Sequence, residues 1–565
     1  MSGDAGGVEL MARNSLETFV RHDSHAGHVP ALSSTDPLPT TSTPRRPWRL
    51  RAIALACAAA QLLAPVYAQN QLPALGDPTS EDFSIATEHK LGEEIMREIR
   101  ADPDYLDDPV LLEYLQSLWN PLVAQARVRG NISPDIDQRL AWEPFLVRDK
   151  EVNAFALPGG YVGVNLGLMA ITATRDELAS VLAHEMSHIT QRHIARSIAN
   201  SKRQTLMSLA TLLAGIVVAS RAGSSSIDAA NAAVVGSQAL AVQGQLNFSR
   251  DMEREADRVG FAVMSGAGFA PGGMASMFEK LDVAARLNDF GGYPYLRSHP
   301  LTSERIGEAR SRLGTAAPVA PVSRLEHSVA QARARVLMDS RFDALRRWQA
   351  LDGDRVASTT GDKLMNAYES ALASTLLRDW ARADVSIATA TALVQGASPK
   401  DARAERLVAL LQVQSLLARG DVSRAEAALA PYAADNTRPV LLLATQATLA
   451  SAPPAPSATD NPALRQRAEQ LQIWVANHPR DSLAWTALSQ IQERLAQPLR
   501  AIRSDAESRL ALGDLNGAAD RLQAGQRRAR SGGAVDFIDV SVIDARLRDV
   551  ELQRKQRKSD EKELR

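Results

Sequence analysis

The chain has one cysteine in 565 residues, Cys57, so no internal disulfide can brace the fold. Neither sign of charge is in excess: 64 Lys and Arg against 65 Asp and Glu leave a net charge of −1, without the basic footprint of a nucleic-acid binder. Long hydrophobic runs are missing as well. The apolar stretches Ala52 to Ala64 and Leu206 to Ala219 both fall short of the roughly 20 residues that span a bilayer. Histidine is scarce, with ten in the whole chain, which makes a cluster of them informative.

Residues 1–44 are polar and rich in Ser, Thr, Pro and Gly, the composition of a disordered extension. His22, His25 and His28 lie there at equal spacing but with no ordering core to assemble a metal site. The basic run Pro44 to Arg51, the apolar stretch after it and Val66-Tyr67-Ala68 read as a secretory signal peptide over residues 45–68. A signal normally begins a chain, so translation starts later than Met1 or the leader is unusually long. Cys57 would leave with the signal, and a mature chain without cysteine suits an oxidising compartment.

The most informative stretch is Thr174 to Arg196, T-R-D-E-L-A-S-V-L-A-H-E-M-S-H-I-T-Q-R-H-I-A-R. Thr174 and Glu177 form a capping box, and Leu178, Val181, Leu182, Met186 and Ile189 recur at helical spacing, which predicts a helix throughout. Four residues advance about 400° around a helix, so His184 and His188 share a face and can present two imidazoles to one ion. Glu185 sits beside them, where its carboxylate can reach a water next to the metal without ligating it, as in H-E-x-x-H metallopeptidases. With so few histidines the pattern arises by accident in about one such sequence in a hundred.

A zinc site needs a third protein ligand. His193 lies about 140° round the helix from His188 and lacks the metzincin spacing, so it reads as a solvated histidine. Glu253 and Asp257 are four apart and share a helical face, so that one can ligate while the other orients a histidine. His299, in Ser298-His299-Pro300, is the third candidate.

The strings H-E-M-S-H, S-R-D-M-E-R-E-A-D-R-V-G and S-H-P-L-T-S-E-R-I, in that order, resemble the family of the eukaryotic CAAX prenyl protease, and especially its periplasmic bacterial members with C-terminal tetratricopeptide repeats. The resemblance runs from about Glu81 to Ile306. It implies one zinc ion per chain held by His184, His188 and Glu253, with Glu185 as catalytic base and Asp257 as support behind a ligand. It implies that His299 can take the open zinc position and hold the enzyme inactive; the plainer alternative is a loop-capping or substrate-contacting role. It also implies misfolded or stalled outer-membrane β-barrel proteins as substrates, the β-barrel assembly machinery as a partner of the repeats, and the periplasm of a Gram-negative bacterium as the location.

Around these motifs, residues 80–99 and 109–125 read as helices, whereas Phe145 to Arg148, Ala154 to Leu157 and Tyr161 to Val164 read as strands, with Pro158-Gly159-Gly160 turning between the last two. Asn153, Ala154, Phe155 and Ala156 are candidates for an edge strand that pairs with extended substrate; the alternative is a purely structural hairpin. Residues 201–245 predict a helical hairpin over the cleft, or a segment that touches a membrane surface or a partner. Residues 314–323 have linker composition. Beyond them, Leu376 to Ala383, Leu416 to Ala425 and Leu510 to Ala518 each read as a helix end, a tight turn and a small-residue helix start, the centre of a tetratricopeptide unit. Pro479, Trp485 and Leu488 mark a unit boundary, and Pro453 to Pro456 interrupt the repeats.

The expected architecture is mainly α. A gluzincin-like H-E-x-x-H peptidase domain with a small sheet occupies residues 69–313, a TPR-like helical solenoid 324–552 and a charged tail 553–565. The expected function is zinc-dependent peptide hydrolysis; the alternative is an assembly adaptor or chaperone that works through its repeats and cleaves little.

Overall fold

Ser84 accepts a hydrogen bond from Thr87 N and starts helix α1 (Ile85–Ala101). The computed structural model describes residues 83–200, 249–287, 293–314, 324–353, 357, 359–453, 461–531 and 537–563. The N-terminal extension, the signal segment, the insertion 201–245, the linker past Gly314 and residues 454–456 of the proline-rich loop lie outside them. No helix among the described residues is long and apolar enough to cross a membrane.

After β1 (Tyr105–Leu106), Asp108 accepts from Leu111 N at 2.9 Å and Pro109 takes the first helical position of α2 (Pro109–Val128), where a missing N–H costs nothing. A short α3 (Pro134–Arg139) leads into β2 (Glu143–Val147), β3 (Ala154–Leu157) and β4 (Tyr161–Asn165). The sheet order is β1-β2-β4-β3, with β2 and β4 parallel and β3 antiparallel to β4. Gly159 and Gly160 turn between β3 and β4 with φ of +83° and +89°, angles that glycine adopts without strain. β3 is therefore an edge strand of this sheet.

The chain continues through α4 (Leu166–Ile171), α5 (Arg175–Thr190), α6 (His193–Asn200), α7 (Arg250–Gly266), α8 (Gly272–Leu287), α9 (Tyr295–Ser298) and α10 (Ser303–Ser311). Leu115, Leu118 and Leu122 of α2, Val162 and Val164 of β4, Leu178, Leu182 and Met186 of α5, and Val263 and Met264 of α7 form one apolar core. Each such side chain stabilises the fold by roughly 1.5–3 kcal/mol. From Asp176 to Thr190, α5 is buried on every side. Two imidazoles and three carboxylates on a helix so enclosed must find partners, because burial of a lone charge is costly.

The helix expected over 174–196 is two helices. Thr174 caps α5 by accepting from Glu177 N, but the Glu177 carboxylate reaches back to Ala173 N at 2.6 Å instead of Thr174 N. At the other end Arg192 has φ of +52°, and α6 starts anew at His193. Arg192 is buried; its Nη2 donates to Phe83 O at 2.8 Å and lies 3.3 Å from Glu88 Oε2. Bonds to residues a hundred positions earlier hold the break, and helical periodicity carries no trace of them.

The second half is an array of helices: α11 (Leu325–Met338), α12 (Phe342–Gln349), α13 (Thr360–Leu376), α14 (Trp380–Gly396), α15 (Ala402–Ala418), α16 (Val422–Leu429), α17 (Arg438–Ser451), α18 (Pro462–Asn477), α19 (Ser482–Arg494), α20 (Pro498–Ala511), α21 (Leu515–Arg530) and α22 (Phe537–Glu563). Neighbours in sequence pack together, as α13 with α14 and α19 with α20. The three expected turns sit at helix junctions, and each carries a left-handed residue followed by the N-cap of the next helix: Arg378 (φ +59°) before Asp379, Gly420 (+81°) before Asp421, Gly513 (+81°) before Asp514. Residues 553–563, expected as a tail, continue helix α22. Helix α11 has two occupied faces. Ala330 and Ala334 enter the core of the first half, whereas Val329, Ala332 and Val336 enter that of the array. Arginines of the array then reach acids of the first half, Arg333 to Asp108 at 2.7 Å, Arg406 to Glu113 at 2.8 Å and Arg480 to Glu93 at 2.7 Å.

Candidate metal centre

Helix α7 approaches α5 closely at Gly260, where a Cβ would stand 3.0 Å from Ala183 O and 3.1 Å from His184 N. Asp257 and Glu253, one and two turns before Gly260, are thereby carried onto the two histidines. Asp257 Oδ1 lies 2.9 Å from His184 Nδ1. His184 Nε2 and His188 Nε2 are 3.1 Å apart, and Glu253 places Oε2 3.5 Å from the first and Oε1 3.5 Å from the second. His299 closes the cluster, with Nδ1 3.0 Å from Glu253 Oε1 and 3.4 Å from His184 Nε2. All four side chains are at most 2% exposed, and one donor atom from each lies within 4.8 Å of the others.

This donor set fits a metal ion. Bonds of about 2 Å to a tetrahedral ion put neighbouring ligand atoms roughly 3.3 Å apart, close to the 3.1, 3.5 and 3.5 Å that separate His184, His188 and Glu253. Asp257 Oδ1 faces His184 Nδ1 at 2.9 Å, which leaves Nε2 as the His184 nitrogen turned toward His188 and Glu253.

The charges around the cluster are tied together. Arg305 donates to both Asp257 oxygens, from Nε at 2.7 Å and Nη2 at 2.9 Å, and its Nη1 lies 2.7 Å from Glu253 Oε2. Burial pushes the Glu253 and Asp257 carboxyls up, but His299 and His184 on the first, and His184 and Arg305 on the second, hold both below the usual carboxylate range. Burial pulls His184 down, yet Asp257 and Glu253 lift it to about 10, whereas burial and the neighbouring His184 depress His188 well below an ordinary histidine. Glu185 is raised by burial. Tyr295 packs its ring 4.7 Å from that of His299, and burial pushes its hydroxyl up.

Glu185 stands between the sheet and the ligand cluster. Its Oε2 accepts from Ala156 N at 3.0 Å, and its Oε1 lies 3.5 Å from His299 Nε2. Asn165 N donates to Asn153 O and Phe155 stands opposite Gly163, so the main-chain groups of Ala154 and Ala156 point away from β4, toward α5. The candidate substrate strand and the candidate base are thus adjacent.

His193 is not solvated. Its ring is fully buried, with Nδ1 3.0 Å from His188 Nδ1 and Nε2 3.0 Å from Glu255 Oε2. The break at Arg192 turns it back onto His188, which an unbroken helix could not do. Sequence reasoning left four neighbours of the centre without a role: His193, Glu255, Tyr295 and Arg305. Glu255 and Arg305 stand inside the motif strings, Arg305 six residues after His299, and spacing by itself assigns neither a partner.

Residues 114–313 match the profile of peptidase family M48. The chain is similar to a putative beta-barrel assembly-enhancing protease of Vibrio cholerae, 36% identical over 286 residues that cover 50% of this chain and 56% of the relative. It is similar to the beta-barrel assembly-enhancing protease of Escherichia coli, 33% identical over 275 residues, 48% of this chain and 53% of the relative. The mitochondrial metalloendopeptidase OMA1 of Schizosaccharomyces pombe is 34% identical over 179 residues, 30% of this chain and 45% of the relative. The matches to the first two span about half the length of those relatives.

Proposed function

We propose that this chain, which carries a peptidase family M48 domain, is a zinc-dependent endopeptidase of the periplasm that acts on misfolded or stalled outer-membrane β-barrel proteins. The observation that carries the reading is the convergence of His184, His188 and Glu253 on one point, with Glu185 on the same buried helix and an edge strand beside it. The relatives' names support the substrate class.

His184, His188 and Glu253 would hold the zinc ion, which supplies a Lewis acid for the scissile carbonyl and makes water acidic enough to lose a proton near neutrality. Ala154 and Ala156 offer main-chain hydrogen bonds to an extended substrate once Glu185 gives up the Ala156 N–H it accepts from here. Glu185, raised toward neutrality by burial, takes a proton from the attacking water and returns it to the leaving nitrogen; water adds across the C–N bond to give a carboxylate and an amine. Asp257 holds the His184 ring in the tautomer that ligates. His299, within 3.5 Å of Glu185 and 3.0 Å of Glu253, would take the open zinc position and so act as a latch.

Zinc content and digestion of an unfolded outer-membrane protein test this together. Wild type should bind one zinc per chain; Glu185→Gln should keep the zinc and lose about 10²–10⁴-fold of the cleavage rate. Retained cleavage by that variant removes Glu185 as the base. His299→Ala should cleave faster than wild type, by about tenfold for each 1.4 kcal/mol the latch contributes to the closed state; an unchanged rate sinks the latch. The same latch favours a second reading, in which the array binds clients and the enzyme cleaves little. That reading prevails if Glu185→Gln still supports barrel assembly in cells.

A further inference from the structure

His184 has Asp257 to fix its tautomer, whereas His188, expected to ligate the same ion, faces another imidazole. We propose that His193 and Glu255 are positioning residues that set the tautomer of His188 through a two-step relay. The proposal rests on the reading of His188 as a metal ligand.

The proton positions follow in order from the outer end. Arg196 Nη1 lies 3.2 Å from Glu255 Oε2, which keeps the carboxylate an acceptor, and that oxygen is 3.0 Å from His193 Nε2. His193 Nε2 therefore carries the hydrogen and His193 Nδ1 presents a lone pair. Across 3.0 Å stands His188 Nδ1, which must then carry its hydrogen on that side. His188 Nε2 is left bare, 3.1 Å from His184 Nε2 and 3.5 Å from Glu253 Oε1. The two rings meet edge to face, 74° apart with centroids at 4.9 Å, so the nitrogen lone pair of one ring can meet the N–H of the other. Metal-ligating histidines depend on such partners for ring orientation and basicity, and loss of a partner typically weakens metal binding 10–100-fold.

Backbone geometry serves this contact. A continuous helix would hold His193 about 140° from His188. The left-handed Arg192, anchored on Phe83 and Glu88, restarts the helix and brings the two rings together. A non-glycine residue in that region is strained, and the relay gives that strain a function.

The test is zinc affinity of the full chain, measured by competition with a chromogenic chelator, for wild type, His193→Leu, His193→Asn and Glu255→Ala. His193→Leu keeps apolar bulk but removes the acceptor, and should weaken zinc binding 10–100-fold. His193→Asn loses bulk but can place its amide oxygen where Nδ1 stood, and should bind more tightly than the leucine variant. Glu255→Ala, at a side chain 30% exposed and so with little effect on folding, should weaken binding in the same direction. Leucine binding as tightly as wild type, or more tightly than asparagine, overturns the relay in favour of a filling role; unchanged affinity in Glu255→Ala overturns its carboxylate end. A wild-type chain that binds no zinc removes the metal-site reading itself, whereas wild-type binding with unaffected variants removes the relay alone.

Discussion

In the helical array some buried hydroxyls bond to the backbone a turn earlier, as Thr375 Oγ1 to Ala371 O at 2.8 Å and Thr445 Oγ1 to Leu441 O at 2.7 Å, while others reach the next helix, as Ser508 Oγ to Ser482 O at 2.9 Å. In the metal centre the partner is tens of residues away, Asp257 for His184, His299 for Glu253, Arg305 for Asp257. A hydroxyl satisfied within its own helix asks nothing of the rest of the fold. A carboxylate satisfied by an arginine on another helix makes each dependent on the other, because removal of one leaves a buried charge alone. Thr375 and Thr445 can therefore vary alone, whereas the charged groups of the centre depend on one another.

The sharpest way to break this contrast is Arg305→Ala. It leaves Glu253 and Asp257 with only imidazoles for partners, and chemical denaturation should register a loss of about 3–5 kcal/mol. A loss below about 1 kcal/mol would show the centre to be as tolerant as the array.

Glu369 is the exception that sharpens the comparison from the other side. It is a fully buried carboxylate of the array whose cationic neighbour, Arg335, is 3.5 Å away. Burial pushes it up to about 7, more than Arg335 pulls it down. Below about pH 4.5 the group is protonated folded and unfolded alike; between there and about 7 the folded state keeps a proton the unfolded chain has released, so stability falls as pH rises. Glu369→Gln should gain up to about 3 kcal/mol over the parent at pH 8 and almost nothing at pH 4, by denaturation at the two pH values. Equal gains at both would mean that the carboxylate is not strained.

The smallest effect belongs to the local hydroxyls. Thr375→Val replaces a self-satisfied group by one of the same shape and should change stability by less than about 1 kcal/mol. A cost like that of Arg305→Ala would place long-range dependence in the array as well.

The same division governs what could be read before the fold was known. His184 with His188, and Glu253 with Asp257, are legible because four residues make one helical turn, and the junctions at Arg378, Gly420 and Gly513 are legible because turn chemistry is local. The strand β3 was readable from its short apolar run and its glycine turn, and the sheet order puts it at an edge. Helix α11 was not: that Ala330 and Ala334 enter the core of the first half while Val329, Ala332 and Val336 enter the array depends on packing between segments that the sequence separates.

The sequence by itself determined the chemistry of this protein: two imidazoles and a neighbouring carboxylate on one helix, an acidic pair on another, and short helices joined by left-handed turns. Tertiary structure alone decided which groups support them. His193 supports His188 only because Arg192 adopts a left-handed backbone to bond with Phe83 and Glu88, and Arg305 reaches Asp257 and Glu253 only because Gly260 lets α7 lie close on α5. Helical periodicity records the bonds a residue makes four positions away, and the bonds of Arg192 and Arg305 span from 48 to 109 positions.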